Sequence, residues 1–556
     1  MKPSLFKYLS WIFLVIILFG CSHEQEPVEK QSKSVDYLRI PLNKFFYNID
    51  PSLTFWGSVN TIELVEQLFL GLTDFDLTTY EVIPELATSW KANQDGTVYT
   101  FYLRKDVKWT DGKPLTAHDI VWTVQRNLLS GKAIMFKTLY ILKNAESIYL
   151  KNKTAQDLNY NNFITSNDTL SSLGIRAIDD YTVEFTLEHP AGYFPSLVST
   201  WIFRPLPRKV IEQYDDNWTD HIQTNGPYKL DSWSKGNKLI LKKNPDYYAA
   251  TKVKISEIHY YIVPKPSLAL AMYENNELDI ISQSVSLPQS ELQRLNIDPI
   301  LRKEVHSKRN FCTLWYGFNT QKAPMNNVLV RKAIAAAIDK NNLIKFVIND
   351  HHSPATTFTP TPVFGAVEAD KEIGIQFSPR QAQKWLTEAG YPNGAGFPLI
   401  VLGHDNSDTL NKTYTSISKM LKYYLNINVR LQTFDRDSYN DALKQPSSLD
   451  MFDITWCADY PDANNWLYDV FHPNKGLSWI SWYNEEFVET IEQAQQIFDP
   501  QERKKLYQRA ETILNQEEVA IIPIYFENTQ FLVKPWVKGW ENTGFGGQRI
   551  HTWWLE

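Results

Sequence analysis

The second half of the chain alternates short apolar segments with helical ones, and this alternation is the strongest constraint on its fold. Ser378 and Pro379 begin a predicted helix, because serine caps and proline suits the first helical turn. A second predicted helix, 415–425, lies between the apolar segments 399–402 and 428–431. Strands joined by crossover helices pair in parallel within one sheet. The sequence therefore predicts an α/β fold with mixed sheets and crossover helices.

The C-terminal part adds a further helix and strand. Asp499 is the predicted cap of a helix whose first residue is Pro500. The following strand, 520–526, contains Pro523, which cannot donate to a ladder and so predicts an edge or a bulge. The aromatic tail 550–555 is expected to pack, because exposed tryptophans favour aggregation.

The length and charge of the chain limit its organisation and its partners. With 556 residues the chain is too long for a single core, so two to four domains are expected. The net charge of −7 argues against nucleic acid as the main partner.

The N-terminus has the features of a targeting segment. Its start is basic, and the apolar run 11–19 is too short for a permanent membrane span. Residues 18–21, Leu-Phe-Gly-Cys, resemble the lipobox of bacterial lipoproteins, in which the cysteine is lipidated and becomes the first mature residue. We therefore predict a lipoprotein signal over 1–21, lipidation at Cys21 and a polar, flexible tether over 22–35. A plain signal peptide or an uncleaved anchor is the alternative.

Two cysteines follow Cys21, at positions 312 and 457. An exported protein meets an oxidising compartment, where a disulfide between Cys312 and Cys457 would stabilise the chain by about 4–5 kcal/mol. The alternative is two separate buried thiols.

The segment Trp456-Cys457-Ala458-Asp459-Tyr460-Pro461-Asp462-Ala463 is the candidate binding motif. A carboxylate between aromatic residues costs free energy unless a cation or hydrogen-bond donors meet it. The amine of a ligand would supply that cation. The alternative is a turn aspartate that caps backbone amides.

Sequence patterns for enzymatic chemistry are missing. The chain has no G-x-x-x-x-G-K-[ST] loop, no H-E-x-x-H, no C-x-x-C and no G-x-S-x-G. We therefore predict neither an enzyme nor a cofactor or metal site.

The segment 90–126 carries a family resemblance. It contains Asp95-Gly96, which predicts a tight turn between strands, and Thr116, which begins a helix with Asp119 in a capping box. The segment resembles the signature of the extracytoplasmic solute-binding proteins of peptide and nickel ABC transporters. Further similar segments are 225–228, 243–248, 277–279, 318–319, 330–333 and 337–339.

The resemblance is greatest to oligopeptide-binding members and implies their fold. That fold is the two-lobed periplasmic-binding-protein type of class II, or cluster C, with three domains. The implied domain I is discontinuous, domain II lies within the same lobe, and domain III forms the second lobe, with a hinge near Cys312 and Phe526. The implied boundaries are 36–67, 207–311 and 526–556 for domain I, 68–206 for domain II and 312–525 for domain III.

The same resemblance implies the site residues. Asp459 would bind the α-ammonium group of a peptide, and Cys312 and Cys457 would form the disulfide of those members. Aromatic side chains would line the ligand pockets, and a strand-like edge would pair with the main chain of an extended peptide, which tolerates many sequences. The aromatic residues are Trp315, Tyr316 and Trp456, and the edge is formed by Phe55, Trp56 and Gly57.

One position departs from the pattern. Asp453 stands where some oligopeptide binders have a basic residue, which leaves open how the ligand carboxylate is held. Lys345, His351 and His352 are basic candidates in the same predicted lobe, although such residues are usually solvated.

The function implied by the resemblance is capture of oligopeptides outside the cytoplasm and delivery to an ABC permease with separate ATPase subunits. The protein would be a monomer, lipid-anchored to the membrane and facing the periplasm or the cell exterior. Two alternatives stay open. The first is a narrower solute, such as a dipeptide, a murein peptide, glutathione or a nickel chelate. The second is a lipoprotein adhesin or chaperone without a working cleft.

Overall fold

The structure is a computed structural model of the 556-residue chain. It describes residues 36–43, 48–54, 58–157, 170–288, 290–348, 351–368, 371–406, 408–444, 449–477 and 480–556. The predicted signal, Cys21 and the predicted tether lie outside these residues. Within the described ranges, none of the helices has the length and apolar character needed to span a bilayer.

The strands are numbered in chain order. They are β1 Tyr37–Leu42, β2 Thr73–Phe75, β3 Val82–Pro84, β4 Ala87–Ala92, β5 Val98–Leu103, β6 Ile175–Asp179, β7 Thr182–Thr186, β8 Tyr228–Ser234, β9 Lys238–Lys243, β10 Glu257–Ile262, β11 Ile280–Ile281, β12 Val305–Phe318, β13 Ser353–Pro354, β14 Ile400–Asp405, β15 Val429–Phe434, β16 Met451–Cys457, β17 Ile521–Val533, β18 Val537–Lys538 and β19 Trp554–Leu555.

The α-helices are given by their bounds. They are Val59–Leu68, Ala117–Leu129, Ala145–Asp157, Phe194–Leu197, Arg208–Tyr214, Pro266–Glu274, Leu292–Ile297, Val328–Ala336, Lys340–Asn342, Pro379–Glu388, Asp408–Leu425, Arg436–Lys444, Asn464–Phe471, Glu485–Gln496 and Pro500–Thr512. Short 3-10 and π-helical turns lie between them.

Three larger sheets organise the described residues. One has the order β1-β10-β9-β8, with β1 and β10 parallel, and a second has the antiparallel order β4-β5-β7-β6. The third has the order β11-β17-β12-β16-β14-β15, and β13 also pairs with β17. In this sheet β14 is parallel to both β15 and β16, as the predicted crossover helices require.

The third sheet is buried on both faces. Along β12, Trp315 faces one hydrophobic core, whereas its neighbours Leu314 and Tyr316 face another. Successive side chains of a strand point to opposite faces, which explains the division. A separate, larger core surrounds the two four-stranded sheets and includes Tyr460. The domain boundaries given above stay a prediction.

Several local predictions are confirmed. Thr116 N donates to Asp119 Oδ2 at 2.8 Å in the capping box, and Asp499 caps the helix Pro500–Thr512. Pro523 lies at a register shift between β12 and β17, so it sits at a bulge. The tail follows the prediction in part, because Trp553 is fully buried but Trp554 is 40% exposed.

Candidate functional site

The predicted disulfide is present and anchors the motif. Cys312 on β12 and Cys457 at the end of β16 are joined and lie opposite each other in the ladder. One residue further, Ala458 N donates to Phe311 O at 2.9 Å. The chain then leaves the sheet and enters the helix Asn464–Phe471. Asp459 is therefore held immediately beyond a covalently fixed strand end.

Asp459 is half-buried and has no internal cation in the described part of the chain. Its backbone N–H donates to Asn465 Oδ1 at 2.9 Å. Burial raises the pKa of Asp459 to about 7, and the nearby Asp469 carboxylate contributes to the rise. Among the described residues, no lysine or arginine forms an ion pair with this carboxylate. A cationic ligand group would therefore stabilise its charged form.

Asp469 adds a second carboxylate to this place. It accepts hydrogen bonds from the Tyr460 hydroxyl at 2.8 Å and from Asn465 Nδ2 at 3.0 Å. Burial raises its pKa to about 6. The Asn465 side chain thus contacts both the Asp459 backbone and the Asp469 carboxylate, and the local field of the two acids favours a cation.

Asp462, the second acid of the motif, already has a partner. Arg503 Nη2 lies 2.8 and 2.9 Å from its two carboxylate oxygens, and both side chains are buried. The guanidinium also lies over the Phe364 ring, at 4.8 Å from the centroid. Because Arg503 is paired with Asp462, it does not neutralise Asp459.

The motif contacts a segment of the predicted domain II. The rings of Tyr193 and Tyr460 stack with centroids 6.0 Å apart and an interplanar angle of 13°. Gln495 Nε2 donates to the Tyr193 hydroxyl at 3.3 Å and to Asn464 Oδ1 at 3.1 Å. A displacement of Tyr193 would therefore disturb the stacked ring of Tyr460, whose hydroxyl donates to Asp469.

A cavity of about 530 Å³ lies beside these contacts. One wall comes from residues within 79–99 and 192–196, and the other from residues within 362–364, 461–462 and 498–504. Its volume is within the range of small-molecule sites. Pro461 and Asp462 line it, whereas Asp459 is not among the described residues of its wall.

The predicted pocket aromatics are not all on the same side. Trp315 is fully buried against Phe358 and Phe471, in the core that also contacts Trp456. Tyr316 is fully buried on the opposite face of the sheet. The structure therefore favours Trp315 and the half-buried Trp456 over Tyr316 as neighbours of the motif, and their contact with a ligand stays a prediction.

Asp453 and the predicted basic candidates lie in different environments. The Tyr439 hydroxyl donates to Asp453 Oδ1 at 3.1 Å, and burial raises the pKa of Asp453 to about 7. Lys345 is exposed, and its Nζ lies 5.1 Å from the Phe346 ring centroid. His352 stacks on Tyr525, and its Nδ1 accepts from the Asn528 backbone. These contacts do not assign a carboxylate-binding role to any of them.

The sequence reading missed three residues. Asn465 and Asp469 are one helical turn apart, and this spacing beyond the motif was the signal that could have found them. Arg309 on β12 is half-buried without a carboxylate partner in the described chain. Its neighbours in sequence, Lys308 and Asn310, suggest an ordinary solvated strand, so no local pattern marks it.

Two predicted sites lie outside what can be placed. Cys21 and the segment Phe55, Trp56 and Gly57 are outside the described residues.

Glu527 lies within reach of Cys312 and Cys457, but the disulfide leaves no thiolate there to hold a metal.

The family model of the bacterial extracellular solute-binding proteins, family 5 (middle), matches residues 81–478 of this chain. The chain belongs to this family. The predicted resemblance is thereby confirmed, and its members are solute-binding transport proteins.

Two curated relatives are similar over most of their length. The periplasmic oligopeptide-binding protein OppA of Salmonella typhimurium is 31% identical over 483 residues, which covers 85% of this chain and 84% of the relative. The probable deoxycholate-binding periplasmic protein YgiS of Escherichia coli is 30% identical over 488 residues, which covers 86% of each.

A solved structure agrees with the fold. The unliganded open form of the periplasmic murein tripeptide-binding protein MppA has a TM-score of 0.78 and 25% sequence identity, covering 94% of this chain and 98% of that one. The predicted α/β fold of the periplasmic-binding-protein type is confirmed.

Proposed function

We propose that this protein captures oligopeptides with a free amino terminus, with Asp459 as the receptor of the α-ammonium group, and delivers them to an ABC permease. The observation that carries the proposal is the half-buried Asp459 carboxylate, which no lysine or arginine of the described residues neutralises. Because Arg503 is paired with Asp462, a cationic guest would supply the charge that no lysine or arginine of the described residues gives to Asp459.

The electrostatics favour a cation over other guests. A unit charge at about 4 Å from a carboxylate is attracted by about 4 kcal/mol at an effective dielectric constant of 20. Asp469 adds to this attraction and would repel an anion. Deoxycholate, which the name of YgiS gives as its probable ligand, is an anion and is therefore disfavoured beside Asp459. The peptide named for OppA of Salmonella typhimurium carries the required ammonium group.

The proposed architecture has two lobes. Domain I comprises 36–67, 207–311 and 526–556, domain II comprises 68–206, and domain III comprises 312–525. The long antiparallel pair β12 and β17 would carry the chain between the lobes, with the hinge near Cys312 and Phe526. A ligand that touches both lobes only when they are closed shifts the population toward the closed form.

The proposed location is the outer face of a membrane. The lipobox-like segment 18–21 supports a lipid anchor at Cys21, and the polar segment 22–35 would be the tether. The protein would act as a monomer that binds but does not transform its ligand, and separate subunits of the transporter would hydrolyse ATP.

A thermal-shift experiment with alanine peptides of two to five residues tests the proposal. A binder is stabilised by RT ln(1 + [L]/Kd), which is about 2.7 kcal/mol at a hundredfold excess over Kd. Asp459→Asn should remove most of the shift given by free peptides but little of that given by N-acetylated ones. The control is Asp437→Asn, an exposed acid of the same predicted domain.

Three results would argue for other functions. Equal losses for free and acetylated peptides would refute the ammonium role of Asp459. A shift with only one class of small solute would indicate the narrower transport function. The absence of any shift would favour the adhesin or chaperone. Mass spectrometry of ligands released from the denatured protein would identify the guest directly.

A further inference from the structure

The cavity of about 530 Å³ differs in composition from the surroundings of Asp459. Aromatic rings offer large apolar faces and pack against other planar groups. The cavity is therefore suited to a flat and largely apolar guest. The aromatic side chains of its wall are those of Tyr80, Trp90, Tyr99, Tyr193, Phe364 and Phe498.

The two walls approach each other closely at positions where one of them lacks a side chain. A Cβ atom at Gly192 would lie 3.3 Å from both Cδ and Nη1 of Arg503. A Cβ atom at Gly96 would lie 3.1 Å from Cδ2 of Phe498. The cavity thus lies between two segments of the chain that are nearly in contact around it.

Arg503 brings an unused hydrogen-bond donor to this cavity. Its Nη2 group donates to both carboxylate oxygens of Asp462 and to the Tyr507 hydroxyl at 3.0 Å. Its Nε group, in contrast, is buried and has no hydrogen-bond partner among the described residues. Buried donors are nearly always paired in folded proteins, so an acceptor supplied by a guest would complete the hydrogen bonds of this side chain.

Lys504 adds a second cationic side chain beside Arg503. Both residues belong to the first turn of the helix Pro500–Thr512. Lys504 is half-buried, and its Nζ lies 5.4 Å from the centroid of the Phe364 ring. The backbone N–H groups at the start of this helix are capped by Asp499, so the side chains and not the helix end provide the donors.

The charges on the described wall sum to one positive charge. Arg503 is paired with Asp462, and the exposed Lys91 is balanced by the exposed Glu81. Lys504 is the fifth charged residue of this wall and has no counterpart there. The cavity therefore favours an anion.

The acids of the motif that favour a cation do not border this cavity. Tyr193 is part of the described wall, whereas Tyr460, Asp459 and Asp469 are not. The Tyr460 ring stacks on Tyr193, and its hydroxyl donates to Asp469. Two places with opposite charge preference thus lie on either side of one pair of stacked rings.

We propose that this cavity is a second binding site, separate from Asp459, which takes small aromatic carboxylates. The ring of such a ligand packs among the aromatic side chains of the wall. Its carboxylate accepts a hydrogen bond from Arg503 Nε and is attracted by Lys504. The ligand needs no ammonium group, so this site does not depend on the proposed peptide function.

Calorimetry with indole-3-acetate and indole-3-acetamide tests the proposal, because the two probes share a ring and differ in charge. The wild type should bind the acetate about tenfold more tightly than the acetamide, as expected for a hydrogen bond to a charged group. Lys504→Gln should weaken the acetate about three- to tenfold and leave the acetamide unchanged. The control is Lys505→Gln, which removes the neighbouring exposed charge paired with Glu502 and should change neither.

Two further variants separate the ring contacts and the two sites. Trp90→Leu should weaken both probes, because it removes one of the rings of the wall. Asp459→Asn should bind indole-3-acetate as the wild type does. Arg503→Lys keeps a charge beside Asp462 but lacks the Nε donor, so the preference for the acetate should shrink about threefold or more.

Three outcomes would overturn the inference. The first is a wild type that binds the acetate no more tightly than the acetamide. The second is an equal loss for Lys504→Gln and Lys505→Gln. The third is abolition of acetate binding by saturating trialanine, which has no aromatic ring and would then share its site with the acid. If Arg503→Lys does not fold, the Lys504 and Trp90 variants still decide. Failure of every peptide to bind would refute the proposed function alone.

Discussion

The affinity for peptides should fall steeply with acid, because Asp459 must be ionised to hold an ammonium group. Burial places the pKa of Asp459 at about 7 in the unliganded protein. Binding at lower pH therefore expels a proton, and the affinity drops about tenfold for each pH unit below 7. The peptide ammonium, with a pKa of about 7.7–8.0, stays charged over this range. At pH 5 we expect binding to be about 50- to 100-fold weaker than at pH 7.5.

The neighbouring groups set the shape of the profile. Asp469, with a pKa of about 6, should steepen the decline below pH 6, since its charge also favours the ammonium. Burial raises the pKa values of Tyr193 and Tyr460, so both stay neutral, and Arg503 stays charged beside Asp462. The maximum affinity should thus lie between about pH 7 and 8, where Asp459 is ionised and the peptide amine is still largely protonated.

Calorimetry of trialanine between pH 5 and 8, in two buffers of different ionisation enthalpy, measures both the affinity and the protons released. About one proton should be released per peptide near pH 6. Asp459→Asn should flatten the profile between pH 5 and 7, whereas Asp437→Asn should not. An affinity of the wild type that is constant from pH 5 to pH 7, without proton release, would refute the role of Asp459.

Further predictions concern stability. Arg503→Met should lower the free energy of unfolding by about 3–5 kcal/mol in urea, because Asp462 is left buried without its partner, and no loss would contradict that. Replacing Cys312 and Cys457 by alanine should cost about 4–5 kcal/mol, since their loop spans 145 residues, whereas free thiols in the unreduced wild type would refute the bridge. Burial raises the pKa of Glu63 in the folded protein from 4.5 to about 8. The folded state therefore favours the protonated carboxyl group, and the stability that this group contributes is lost as the pH rises from about 4.5 through 8. Glu63→Gln should therefore be more stable than the wild type at pH 9 but not at pH 4, and parallel unfolding curves would contradict this.

The elements of secondary structure could be read from the sequence because their signals are local. Asp119 and Asp499 cap helices through hydrogen bonds within their own helical turns, and Pro523 lacks an N–H wherever it lies. The ends of these helices and strands were predicted less accurately than their presence. The helix expected over 415–425 begins at Asp408, and the strand expected over 520–526 extends to Val533. Tertiary packing lengthened both beyond their apolar runs.

The sequence could not predict which acid of the motif is paired with a cation. Asp459 and Asp462 are three residues apart and of the same type, yet only Asp462 has a cation in the described chain. The difference arises because Arg503, 41 residues away, reaches only one of them. The surroundings of Arg309, which has no carboxylate partner among the described residues, have a similar origin, since its guanidinium contacts Ser353 and Thr361.

The sequence by itself determined the family, the α/β alternation and the helix caps, because each depends on residues near one another in the chain; the binding motif stays a prediction. The tertiary structure decided which acid of the motif is paired with a cation among the described residues and which one is not. It also placed Trp315 and Tyr316 on opposite faces of a buried sheet. Pairing and burial depend on contacts between distant segments, and the energy of a charge depends on those contacts more than on its neighbours in sequence.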